Sequence, residues 1–147
     1  AGGLGDVGGA EIHVHERELH AARAAADDAY FADDFEGDYR WRLTDREYDP
    51  VPGVSALETP GHTAGHMSMW IELPKGPPIL LAGDAADLCE NIEHEVAPGL
   101  CWHEREDLAL DSIRKLKRVA EETGAVIWPN HDIHFFRSRK PFPEWYE

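Results

Sequence analysis

The chain has 147 residues, the size of one domain or part of one, and its 42% hydrophobic content, with five Trp, five Phe and four Tyr, supplies a core. Fourteen basic against 29 acidic residues give a formal net charge of −15, which excludes nucleic acid and anionic membrane as natural partners. No run reaches the ~18 apolar residues of a membrane-spanning helix and no basic-then-apolar leader opens the chain, so a cytoplasmic protein is expected.

The first residues, "AGGLGDVGG", form a Gly-rich loop, an unusual place for a domain to begin. Residues 10–15, "AEIHVH", alternate apolar and polar and predict a short strand. "ERELHAARAAA" (16–26) predicts a helix with acids in its first turn, where the helix dipole favours them. Residues 27–53 are acidic, aromatic and punctuated by Pro and Gly. They read as a long, substrate-facing loop with one strand near "YRWRL". Strands follow at 53–59 ("GVSALET"), 66–73 ("HMSMWIEL") and 79–84 ("ILLAGD"). The clearest helix is 104–124, with Leu108, Ile113, Leu116 and Val119/Ala120 on one face and Gly124 as its stop. "AVIWP" (125–129) is the last strand, followed directly by "NHDIH". Strands, a helix and a further strand predict a layered α/β arrangement. Cys89 and Cys101 lie in no metal-binding spacing and read as free thiols.

Three potential ligands occupy one topological position. His62 follows the strand at 53–59, Asp84 closes the strand at 79–84, and His131 comes two residues past the strand at 125–129. Sites in layered α/β proteins gather where loops leave one end of the strands. Two imidazoles and a carboxylate from such separated positions suit zinc, iron or manganese held in a tertiary site.

"TPGHTAGH", "LLAGD" and "PNHD", in that order and each at a strand end, resemble the metallo-β-lactamase superfamily of hydrolases. "GDAADLCENIEHE" and the closing "NHD" are most similar to its N-acyl-homoserine-lactone lactonase branch. The resemblance runs from "AGG" to about Phe136. It implies the C-terminal portion of an αβ/βα sandwich, with residues 1–147 a single partial domain. It also implies a Zn2+ cofactor, binuclear in the complete protein, with iron or manganese as alternatives. His62 would be a ligand, Asp84 the bridge between two metals and the catalytic carboxylate, and His131 the ligand completing the second metal. His66 would be structural, its ring tied to a backbone carbonyl or a loop, with Gly61 and Gly65 allowing the turn that carries His62. The superfamily's H-x-H-x-D-H motif normally precedes an "AGG" turn, and this chain begins at Ala1-Gly2-Gly3, so four ligands are expected to be missing. His13 and His15 imitate an H-x-H, but Glu16-Arg17 follows where Asp-His is needed, and both read as strand residues.

The implied activity is hydrolysis of an ester or lactone, a small-molecule substrate whose carbonyl is attacked by metal-bound hydroxide. Asp132 and Thr63 are candidates to orient His131 and His62. Related lactonases carry a tyrosine three residues after the bridging aspartate to hold the substrate carbonyl. Here that residue is Asp87, and Tyr30, Tyr39 or Trp102 would have to substitute. His94, His103 and His134 are assigned no metal role. Two other readings stay open: a silent scaffold domain acting in binding or assembly, and a mononuclear site of His62, Asp84 and His131 alone. Thioesterase and glyoxalase II-like hydrolysis are further variants of the enzymatic reading. Missing strands would expose sheet edges and favour a homodimer.

Overall fold

The computed structural model describes residues 3–25, 30–141 and 144–146. Among these residues a two-stranded sheet and a five-stranded sheet carry the elements that position the site. The first pairs β1 (Glu11–His15) in parallel with β2 (Arg40–Thr44), joined through α1 (Glu16–Ala24). The second runs in chain order through β3 (Tyr48–Val51), β4 (Val54–Glu58), β5 (Met67–Ile71), β6 (Ile79–Gly83) and β7 (Val126–Pro129). The β3–β4, β4–β5 and β5–β6 pairs are antiparallel, and β6–β7 is parallel. Two antiparallel steps restore direction, so β4, β6 and β7 all finish at the same rim of the sheet.

The crossover from β6 to β7 passes through α2 (Cys89–His94) and α3 (Glu106–Thr123). Leu116 on α3 is fully buried in a cluster with Leu80, Ala82, Ala85 and Ala86, and Leu57, Trp70 and Ile127 close around it. The inward stripe of α3 is Ala109, Ser112, Ile113 and Leu116 rather than one led by Leu108. Small residues at its N-terminal end let the loop carrying His62 approach closely, and Ser112 Oγ donates to Pro60 O at 2.6 Å. Gly124, at φ 70°, ends the helix as expected. The chain then turns into α4 (Ile133–Arg137) directly after the "NHD" segment.

The strand and helix expectations hold to within a few residues, with three differences. The 27–53 stretch carries a second strand, β3, besides the one near "YRWRL". α2 and α4 are short helices in segments without a readable period. Residue 26, expected at the end of α1, lies outside the described residues. The two sheets are tied together by histidines: His13 Nδ1 lies 2.7 Å from Tyr48 Oη, and His15 Nε2 donates to Glu58 at 2.7 Å. His15, 2% exposed, also accepts the Arg17 N–H and so caps α1. The reading of these two rings as strand residues stands. No helix among the described residues is long and apolar enough to cross a membrane.

Candidate metal centre

The common rim of β4, β6 and β7 decides where the three ligand candidates meet. Asp84 leaves β6, His131 follows β7, and His62 sits in the loop after β4. His62 Nε2 lies 3.6 Å from Asp84 Oδ2, and His131 Nε2 lies 3.0 Å from Asp84 Oδ1. The carboxylate of Asp84 therefore presents one oxygen to each imidazole. All three side chains reach solvent, His131 most of all at 63% exposed.

His62 and Asp84 are each steadied by a further hydrogen bond. His62 Nδ1 donates to the Leu100 carbonyl at 3.2 Å, which puts the proton on Nδ1 and leaves the Nε2 lone pair facing Asp84. Two acceptors opposed in this way are reconciled by a shared proton or a cation. Asn130 Nδ2 donates to Asp84 Oδ1 at 2.6 Å and lies 3.3 Å from His131 Nε2. Burial pushes the Asp84 carboxyl up, but the Asn130 hydrogen bond, the His62 ring and the His131 contact outweigh it and hold it below the usual carboxylate value. Asp84 is thus a carboxylate at neutral pH.

His66 anchors the backbone beneath the site. Its Nε2 accepts the Asp84 N–H at 3.0 Å, so Nδ1 carries the proton, with the Thr59 carbonyl at 3.1 Å and the Thr59 hydroxyl at 2.9 Å. Burial lowers its pKa, with the neighbouring His62 acting in the same direction, and the neutral ring this favours is the form these contacts require. Gly83 is needed at this point, because a Cβ there would stand 2.7 Å from His66 Nε2.

The glycines of "TPGHTAGH" act by close approach more than by turning. A Cβ on Gly61, at φ 143°, would fall 2.4 Å from Ala109 Cα of α3. One on Gly65 would fall 2.5 Å from Glu18 N of α1. The His62 loop is clamped between two helices, and Glu18 Oε2 accepts the Gly65 N–H at 2.8 Å.

Three groups at the centre differ from the sequence expectation. Asp132 does not orient the His131 ring: its carboxylate accepts Phe135 N–H at 2.8 Å and Cys89 N–H at 3.1 Å, capping α4 and tying it to α2. Those backbone donors lower its pKa to about 2. The Leu100 carbonyl, not Thr63, takes His62 Nδ1. Asp87, read only as the position of an absent tyrosine, lies in the site, offering a carboxylate oxygen within 4.8 Å of ligand atoms of both Asp84 and His131. Its backbone carbonyl accepts the His131 N–H at 2.8 Å. The D-x-x-D spacing of Asp84 and Asp87 across the turn after β6 was the signal available for it.

A cavity of about 1250 Å³ opens beside His62, lined among others by Leu19, Tyr30, Leu43, Leu100 and Trp102. Leu43 and Leu100 are 55% and 63% exposed, and the cavity accounts for apolar side chains standing open there. Tyr30 and Trp102 therefore border the site, whereas Tyr39 packs edge-on against Trp41 instead.

No family model matches the chain. An N-acyl homoserine lactonase of Bacillus sp. is 37% identical over 145 residues, 99% of this chain and 56% of the relative. The crystal structure of a point mutant of B. thuringiensis AiiA, with N-decanoyl-L-homoserine at its active site, superposes with a TM-score of 0.87 at 34% identity. The match covers 97% of this chain and 55% of that one. An N-acyl homoserine lactone hydrolase with N-hexanoyl-L-homoserine at its catalytic metal centre matches with a TM-score of 0.83 at 34% identity, over 93% of this chain and 52% of that one. The chain spans about half the length of the relatives it matches. The fold is the α/β metallo-β-lactamase fold shared with these hydrolases. Over that half, its sequence and fold are similar to those of N-acyl homoserine lactonases.

Proposed function

We propose that this chain carries part of the active site of a metal-dependent lactonase, with N-acyl homoserine lactones as substrates. The observation behind this reading is the convergence of His62, Asp84 and His131 at one rim, with an oxygen of Asp84 turned to each ring. The donor chemistry fits a divalent cation such as Zn2+: imidazole nitrogens and carboxylate oxygens coordinate it at about 2.0–2.2 Å. The unprotonated Nε2 of His62 facing a carboxylate oxygen is an arrangement such an ion satisfies. When bound, the metal supplies an acidified water and a Lewis acid for the substrate carbonyl.

The chain's own residues do the positioning. Leu100 O fixes the His62 tautomer, His66 fixes the backbone of Asp84, and Asn130 steadies the Asp84 carboxylate. Asp84, ionised at neutral pH, would help hold the metal, and its carboxylate can take the proton released by the attacking water and return it to the ring alkoxide as the lactone opens. The apolar cavity beside His62 suits the acyl chain carried by products bound in the relatives, N-hexanoyl- and N-decanoyl-L-homoserine.

The test is proton release during hydrolysis, followed by pH-stat with N-hexanoyl homoserine lactone, simple esters and thioesters on the metal-loaded complete protein. Lactone turnover that exceeds ester and thioester turnover and falls at least ~100-fold in Asp84→Asn supports the proposal. Equal turnover of all three, or an unaffected Asp84→Asn, overturns it.

A further inference from the structure

We propose that Asp87 is a metal-holding carboxylate, forming with Asp84 and His131 a three-donor set beside the His62–Asp84 pair. The inference rests on the metal-site reading above but concerns a residue that neither the motifs nor the resemblance assigned to it. Ligand atoms of Asp84, Asp87 and His131 all lie within 4.8 Å of one another, a grouping that could hold one cation between them. His62 addresses the other oxygen of Asp84, at 3.6 Å from Oδ2.

The position of Asp87 is fixed by the backbone. His131 N–H donates to Asp87 O at 2.8 Å, and Asn130 N–H donates to Ala86 O at 3.1 Å. The end of β7 is thereby laced to the turn after β6. Wherever the His131 backbone goes, the Asp87 backbone goes with it. No lysine or arginine partner of Asp87 occurs among the described ion pairs.

Two carboxylates and one imidazole make a donor set richer in charged oxygen than two imidazoles and one carboxylate. Such a set raises affinity for oxygen-preferring ions such as Mn2+ relative to Zn2+. Asp87 would thus tune which metal the site retains. It also replaces a hydroxyl donor to the substrate with a group that cannot donate when ionised.

The experiment is calorimetric titration of this chain with Zn2+ and, separately, Mn2+, comparing wild type, Asp87→Asn, Asp87→Tyr and His131→Ala. Circular dichroism verifies that each variant is folded; Asp87→Asn keeps the side-chain shape and the backbone carbonyl that His131 uses. The expected result is at least a ~10-fold loss of affinity in both Asp87 variants, larger for Mn2+ than for Zn2+. If Asp87→Asn binds both ions as wild type does while His131→Ala loses them, the site stands and the role of Asp87 is overturned. If wild type binds neither ion, the metal-site reading itself fails and takes this proposal with it.

Discussion

At the scale of single residues, the site depends on groups that touch no ligand candidate's reactive face. Gly61 shows this most directly. Its φ of 143° is open only to glycine, and a methyl group there would overlap the α3 backbone at Ala109. Either the His62 loop or the helix must then shift. Gly61→Ala should therefore destabilise the fold by about 3 kcal/mol, within the range of overpacking combined with left-handed strain. Urea denaturation checks this, and a midpoint unchanged from wild type would show that the loop yields freely. Asn130 is the converse case, an exposed side chain bonded to Asp84. Removing groups that orient metal ligands commonly costs about 10–100-fold in affinity. Asn130→Ala should weaken Zn2+ binding about 10-fold by titration while the melting temperature stays close to wild type.

At the scale of elements, legibility follows the strength of the local pattern. α3 is readable because 18 residues carry a repeating apolar face and end in Gly124, so several independent cues agree. β4, β5, β6 and β7 are readable because short apolar runs are bounded by Gly and Pro. α2 and α4, at six and five residues, span too few turns for any period to emerge. They are held by tertiary bonds instead, Asp132 serving both at once. The same distinction runs through the site. His62, Asp84 and His131 sit at strand ends and can be named from sequence. The Leu100 carbonyl cannot, because a backbone atom 38 residues from His62 leaves no trace in side-chain identity. The α3 stripe also carries a stability prediction. Leu116 is fully buried against Leu80 and Ala82, and leucine truncation at such sites costs about 2–5 kcal/mol. Leu116→Ala should fall in that range by thermal melting, whereas Glu122→Ala, exposed on the opposite side of the helix, should stay within about 0.5 kcal/mol. Equal losses in the two would mean that α3 is not seated on β6 and β7 as described.

At the scale of the whole molecule, the excess of 29 acidic over 14 basic residues sets how stability responds to salt. Two opposing effects compete. The described ion pairs, such as Arg105–Asp107, Arg114–Glu95 and Lys117–Glu95, involve partly or largely exposed side chains and would be weakened by screening. Exposed pairs of this kind contribute only about 0–1 kcal/mol each. Against them stands repulsion among fifteen uncompensated negative charges, which compaction brings closer together than they are in the unfolded chain. The repulsion involves many pairs and the attraction few, so screening should favour the folded state. Raising NaCl from about 20 mM to about 300 mM, which shortens the screening length from roughly 20 Å to below about 10 Å, should raise the melting temperature by several degrees. The comparison must be made in chelator, so that trace divalent ions do not add mass-action stabilisation of their own. A melting temperature that falls with salt would mean that the pairs on α3 and its neighbours outweigh the net charge.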